Sequence, residues 1–248
     1  MSDRLPPLAA SEAAPETRAR AIRDMFCEIA PRYDFLNHLL SLGIDRGWRR
    51  TLVRMALRPG MPGMKDLLDV ACGTGDVCLA LRGKAPGARI VGLDFSPGML
   101  ELARKKNLKA GAGLELIEGS AEELPFAEGE FDLVTIAFGI RNVVDRKKAL
   151  REFFRVLKPG GRVAVLEFSR PRVVWLRALY DFYFFRILPR VGGLLAKKEA
   201  YLYLPDSVSR FPEPEEFNDW LNEAGFTACR WHSLTFGIAT LYLGEKRI

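Results

Sequence analysis

The sequence predicts an α/β fold: a doubly wound, mostly parallel sheet of seven strands with an antiparallel C-terminal strand and an N-terminal helical cap. Three observations carry this. Short apolar runs alternate with helical stretches between residues 65 and 167, an apolar run ending at Val70 feeds the turn Gly73-Thr74-Gly75, and a second short strand ends in Asp94, 25 residues after Asp69. Strands that alternate with helices across short turns pack as parallel βαβ units with helices on both faces.

Ile22, Met25, Phe26 and Ile29 recur at helical spacing and predict an amphipathic helix that ends before Pro31; a second helix spans 46–57, ahead of Pro59-Gly60. Both belong to a cap, residues 21–60, beside the sheet. Strands are expected at 65–70, 89–93, 114–118, 131–137 and 161–167, the last after the turn Lys158-Pro159-Gly160-Gly161. Helices at 76–84, 97–106 and 147–157 intervene, and Ser96 is placed to cap the second. Past Phe168 the alternation breaks. Residues 170–212 read as an insertion, 214–224 as a helix ended by Gly225, and 226–232 with 239–246 as a closing antiparallel pair. A chain of 248 residues that is 48% hydrophobic can build one sizeable core, so 21–248 reads as a single domain behind a disordered extension, 1–20.

The 37 Lys and Arg against 31 Asp and Glu give a net charge of +6, too mild to require a nucleic-acid partner. Most of the excess lies in residues 172–198, where Arg172, Arg177, Arg186, Arg190, Lys197 and Lys198 face Asp181 alone among many aromatic residues. That segment is expected to wall a ligand site, to touch anionic lipid or to pair two copies in a homodimer. The four cysteines are scattered, with no Cys or His set at metal spacing, so no metal is expected. No apolar run approaches the roughly 18 residues of a membrane span, and no signal peptide is visible. The expected location is the cytoplasm, with peripheral contact at the inner face of the membrane.

Glycines let the backbone turn tightly and approach a ligand, and a carboxylate at the end of the next strand can accept both hydroxyls of a ribose. That much suits NAD and S-adenosylmethionine equally. A dinucleotide turn wants a third glycine, and Cys78 stands in its place. Asp69 and Asp76 flank the turn and suit a cationic sulfonium better than a pyrophosphate. In an open α/β sheet the ligand lies outside the carboxyl ends of the strands. Residues 72–75, 94–96, 119–122 and 138–142 therefore converge, with Ser120 and Ala121 set to meet adenine and Phe95 to stack on it.

Longer motifs add a resemblance. Tyr33-Asp34-Phe35-Leu36-Asn37, continuing through Ser41-Leu42-Gly43 to Trp48, and Arg155-Val156-Leu157-Lys158-Pro159-Gly160-Gly161, continuing to Glu167-Phe168-Ser169, are similar to two signatures of one family. Thr135 through Asn142, Tyr203-Leu204-Pro205-Asp206-Ser207 and Leu234 through Ala239 agree as well. Over residues 25–246 the chain resembles the ubiquinone and menaquinone biosynthesis C-methyltransferases, and is most similar to their bacterial demethylmenaquinone methyltransferase branch. Two positions depart from the usual pattern: Leu36 stands where Met is common, and Asp45 where the first signature often has His.

The resemblance implies a Rossmann-like class I methyltransferase that uses S-adenosylmethionine to methylate demethylmenaquinol. Methylation of a methoxy-benzoquinol precursor of ubiquinone is the near alternative, and a non-catalytic quinone-binding or assembly protein the distant one. No Asn-Pro-Pro-Tyr clamp or Pro-Cys pair follows the fourth strand, as an RNA or protein methyltransferase would have. Carried over by motif, Asp69, Gly73, Thr74, Gly75, Asp94, Ser120 and Ala121 are expected to hold the donor, and Asn37 and Asn142 the polyprenyl quinol. Arg141 and Tyr33 are expected to act on the quinol, Arg141 by stabilising the phenolate and Tyr33 by orienting a ring oxygen. A guanidinium stays charged and does not itself remove the proton, which leaves a water or a carboxylate such as Asp34 or Asp45 as acceptor.

Overall fold

The computed structural model describes residues 14–41, 43–57, 63–173, 177, 182 and 198–247, with side chains included except at 15, 31–40 and 198–202. Seven strands form one sheet: β1 (Asp66–Val70), β2 (Arg89–Asp94), β3 (Glu115–Glu118), β4 (Phe131–Ala137), β5 (Leu157–Phe168), β6 (Thr227–Leu234) and β7 (Ala239–Glu245). Their order is β3-β2-β1-β4-β5-β7-β6, with β1 to β5 parallel and β7 antiparallel to both neighbours. The chain runs outward from β1 to β3, then returns to place β4 on the other side of β1. That reversal opens a crevice at the carboxyl ends of β1 and β4.

Period-two alternation decides the two faces. Leu67 and Leu133 enter one apolar cluster, while their chain neighbours Leu68 and Val134 enter the other. The first cluster is covered by α2 (Ile44–Ala56), α3 (Asp76–Lys84) and α4 (Pro97–Ala110), through Trp48, Leu52, Leu81 and Leu100. The second is covered by α5 (Arg146–Val156) and α7 (Pro214–Glu223), through Leu150, Phe153, Phe217 and Leu221. Helix α1 (Pro15–Leu40) packs on α4, and α2 on β5. Ser96 caps α4 as expected, its Oγ accepting from the Met99 N–H at 3.4 Å.

Four boundaries differ from the sequence reading. The first helix starts at Pro15, inside the stretch expected to be disordered, and continues through Pro31 to Leu40. A proline inside a helix forfeits one hydrogen bond and crowds the preceding turn, a cost of about 3 kcal/mol; burial of Ile22, Met25 and Ala30 on the packed face opposes it. In β5 the pairing with β4 begins at Leu157, loops out at 158–161 and resumes at Arg162, so the expected turn is a bulge inside a longer strand. Within the expected insertion, Lys198–Ser209 forms a helix, α6. The loop between the last strands is a 3-10 turn, Thr235–Gly237, whose Thr235 Oγ1 accepts from Trp48 Nε1 at 2.8 Å. The roles considered for the aromatic and basic residues of 172–198 fall almost wholly outside the described residues.

Candidate active site

The loop after β1 turns through three left-handed residues, Ala71 (φ 50°), Gly73 (φ 55°) and Gly75 (φ 86°). Gly75 stands at the N-terminal end of α3. Across the crevice, Phe138 ends β4 with φ 58°. Two non-glycine residues in this sparsely populated region, at the ends of adjacent strands, concentrate backbone strain at the crevice. Gly139 lets the two loops approach closely, because a Cβ there would meet the Cβ of Ala71 at 2.6 Å and force a shift.

Asp94 ties the loops together. One carboxylate oxygen accepts from the Gly73 N–H at 2.8 Å, the other from the Ser96 N–H at 2.8 Å. Burial pushes its pKa up to about 6, while the N–H groups of Ser96, Gly73 and Phe95 oppose the rise. A carboxylate offers about four acceptor positions, so these backbone N–H groups do not exhaust its capacity to accept from a ribose hydroxyl.

A cavity of about 620 Å³ opens in front of Asp94. Gly73, Phe95, Ser120 and Ala121 line it on the side of β1 to β3; Phe138, Gly139 and Asn142 line it on the side of β4. Helix α1 closes it with Arg20, Arg23 and Phe26. Phe26 meets Phe95 edge-to-face at 6.2 Å, and Arg23 donates to Glu118 at 2.7 Å from across the opening.

A smaller polar cavity, about 30 Å³, adjoins the first and shares Ala71, Gly73 and Ala137 with it. Arg49, Asp69, Thr74 and Asp76 line it. Asp69 accepts from Thr135 Oγ1 at 2.7 Å and from Cys78 Sγ at 3.3 Å. Burial raises its pKa to about 7, opposed by those two hydrogen bonds and by the charge of Arg49. Arg49 is held by Asp45, which also accepts from Ser41 Oγ at 2.7 Å. Lys106 donates to Thr74 Oγ1 at 2.8 Å and to Asp76 at 2.6 Å. The acidic character read from Asp69 and Asp76 is thus offset by two cations that the turn's own sequence does not contain.

The expected donor residues Gly73, Asp94, Ser120 and Ala121 gather around the large cavity, and Asp69 and Thr74 around the small one. Gly75 shapes the turn behind them. Asn142 lines the large cavity. Arg141, expected to act on the quinol, is not among the residues that line it: the residue is 6% exposed, and its guanidinium donates to Glu167 at 2.8 Å and to the Phe138 carbonyl at 2.5 Å. Tyr33 and Asn37 belong to α1, but their side chains fall outside the described residues. Asp45, a candidate proton acceptor, is 2% exposed and engaged with Ser41 and Arg49. The sequence reading missed Arg49 and the closing face of α1, for nothing local distinguishes Arg49 from Arg50 or Arg54; only its place on the inner side of α2 does.

A sequence profile described as the ubiE/COQ5 methyltransferase family matches residues 13–246. The chain is 52% identical over 232 residues to the ubiquinone/menaquinone biosynthesis C-methyltransferase UbiE of Geobacter sulfurreducens, covering 92% of this chain and 90% of that one. It is 49% identical over 223 residues to the demethylmenaquinone methyltransferase of Thermus thermophilus, covering 90% and 100%. Among solved structures, an S-adenosylmethionine-dependent methyltransferase from Thermotoga maritima superposes with a TM-score of 0.61 at 20% identity, over 91% of this chain and 100% of that one. At that identity the likeness concerns the fold alone.

Proposed function

The chain belongs to the ubiE/COQ5 methyltransferase family, and from that premise we propose that it moves the methyl group of S-adenosylmethionine to a ring carbon of demethylmenaquinol, giving menaquinol and S-adenosylhomocysteine. The observation that carries this reading is a single cavity that runs from Asp94, a buried acceptor for a ribose, to Asn142, the chain neighbour of Arg141. Donor and acceptor can share it without a wall between them.

S-adenosylmethionine supplies a methyl group that is already electrophilic. The protein's tasks are placement, exclusion of water and stabilisation of the anion that forms on the acceptor. Asp94 receives the ribose hydroxyls, Ser120 and Ala121 the adenine edge, and Phe95 its ring. Arg49, in the small cavity, takes the carboxylate of the amino-acid end, and Asp69 its ammonium group. On the acceptor side a quinol carbon becomes nucleophilic as a ring hydroxyl gives up its proton. Arg141 stabilises the phenolate, Tyr33 and Asn37 orient the ring from α1, and Asn142 donates to a ring oxygen. With Asp45 engaged by Arg49 and Ser41, the proton passes to water or to Asp34 of α1, whose side chain lies outside the described residues.

Mass spectrometry of quinone extracts, after the purified chain is incubated with labelled methyl donor and chemically reduced lipid extract, tests the reading. Label in menaquinone is the expected result. Label confined to the product of 2-methoxy-6-polyprenyl-1,4-benzoquinol would replace it with the ubiquinone reading, and no label in any quinone would leave a non-catalytic quinone-binding or assembly role.

No helix among the described residues is long and apolar enough to cross a membrane. A polyprenyl tail resides in the bilayer, so we place the enzyme in the cytoplasm with peripheral contact at the membrane's inner face. Flotation with vesicles, with and without anionic lipid, checks this; absence of charge-dependent binding would count against it. A homodimer belongs to the same proposal and is read by light scattering.

A further inference from the structure

Tyr203 stands on α6, inside the stretch that reads as an insertion, yet its hydroxyl reaches back 61 residues to donate to Asn142 Oδ1 at 2.9 Å. The ring is 8% exposed and packs with Ile22 and Met25 of α1, against the cluster that includes Phe26 and Phe95. Asn142 lines the large cavity and Tyr203 does not, so the tyrosine touches the site only through the amide.

The other side of that amide faces a backbone carbonyl. Nδ2 of Asn142 points to the Phe138 carbonyl at 3.5 Å, and a carbonyl only accepts, which assigns nitrogen to that side and oxygen to the Tyr203 side. Burial raises the phenol of Tyr203 above its ordinary value, against the opposing charges of Arg141, Arg18 and Arg146, so it keeps the proton that it donates. Nδ2 carries two N–H groups and the Phe138 carbonyl engages at most one of them, so the amide has a donor to offer the cavity that Asn142 lines.

From this geometry we infer that Tyr203 is a positioning residue for methyl transfer, fixing the amide of Asn142 so that its second N–H meets the quinol oxygen where negative charge develops. The inference rests on the quinol reading of the cavity proposed above. Without the hydroxyl the amide can turn about its last side-chain bond and present its own oxygen to the developing phenolate, exchanging a donor for a repulsive acceptor. The conformation of a side chain that the sequence assigns to the acceptor site is thereby set from α6, a part of the chain outside the βα repeat.

Tyr203→Phe keeps the ring in its apolar cluster and removes one hydroxyl. With labelled S-adenosylmethionine and a reduced demethylated naphthoquinol, kcat is expected to fall roughly tenfold, with the dissociation constant for S-adenosylmethionine unchanged. Asn142→Ala should lose at least as much, and the double variant no more than Asn142→Ala alone. Parental turnover by Tyr203→Phe would overturn the inference. So would a Tyr203→Phe loss that repeats in full on the Asn142→Ala background, or loss of S-adenosylmethionine binding by Tyr203→Phe, since the hydroxyl would then serve packing or folding. Failure of the unaltered chain to methylate the quinol would overturn the quinol reading and this inference together, which sets that outcome apart from the others.

Discussion

The guanidinium of Arg141 and the carboxylate of Glu167 form an ion pair at 2.8 Å that is almost wholly removed from solvent, with Glu167 0% exposed. Glu167 also accepts from the backbone N–H groups of Arg141 and Phe168, at 3.2 and 2.8 Å, and the guanidinium lies over the Phe168 ring at 5.3 Å. The side chain proposed to steady the phenolate is therefore itself held by a neighbouring strand. Its guanidinium also donates to the carbonyl of Phe138, a residue that lines the cavity.

Removing one member of a buried pair leaves the other charge uncompensated, at a cost of about 3–5 kcal/mol. Arg141→Met should lose stability on that scale, and the charge-neutral double variant Arg141→Met with Glu167→Gln should regain much of it. Denaturant titration checks both. Turnover should be greatly reduced in each, with the dissociation constant for S-adenosylmethionine nearly unchanged. Full turnover by the double variant would remove Arg141 from the mechanism.

Asp94 gives the donor site a pH dependence of definite sign. Its folded value of about 6 lies above the ordinary 3.8, and only the ionised form offers full acceptor strength to a ribose diol. Affinity for S-adenosylmethionine should begin to weaken as pH falls through about 7, where Asp69 takes up a proton, and weaken more steeply below 6, where Asp94 adds up to about tenfold per unit. Binding near pH 6 should release protons. Asp94→Asn should bind weakly and lose the component centred near pH 6 while keeping the Asp69 component near 7, as calorimetry in buffers of different ionisation enthalpy would record.

Arg49 can be separated from the rest of the donor site by choice of ligand. Arg49→Met should weaken S-adenosylmethionine by about 10- to 100-fold, the scale of one hydrogen-bonded charge. It should leave 5′-methylthioadenosine, which lacks the amino-acid end, unaffected. Equal losses for both ligands would show that Arg49 holds the loop and does not bind the carboxylate.

Gly139 reports on the crevice wall. A methyl group there would stand 2.6 Å from the Cβ of Ala71 and 3.2 Å from a side-chain carbon of Ile136. Gly139→Ala should cost about 1–3 kcal/mol and weaken donor binding, because Ala71 must shift and Ala71 lines both cavities. Thermal melts with and without S-adenosylmethionine separate the two effects.

Features that depend on neighbours in the chain were legible from residues alone. The apolar runs marked β1 to β4 within a residue or so; Ser96 marked the start of α4; and Asp94, at the end of β2, marked the donor cradle that Gly73 and Ser96 complete. Each follows from alternation, capping or turn chemistry, which act over a few residues. Convergence of the strand-end loops pointed to Ser120 and Ala121, and resemblance to a known family then singled out Asn142 and Arg141, without saying what surrounds them.

The arrangement around those residues was decided by contacts between distant segments. Pro31 signals a helix end, yet α1 runs on through it to Leu40, and the first half of that helix is packed on α4. Arg49 becomes part of a polar cavity only because α2 crosses the turn after β1, and Arg141 is buried only because β5 brings Glu167 beneath it. Tyr203 is joined to Asn142 only when α6 folds back over α1 and the end of β4. Desolvation and charge pairing depend on what lies within a few ångströms in space, so local sequence pattern could name the participants and only the tertiary fold could set their partners and protonation.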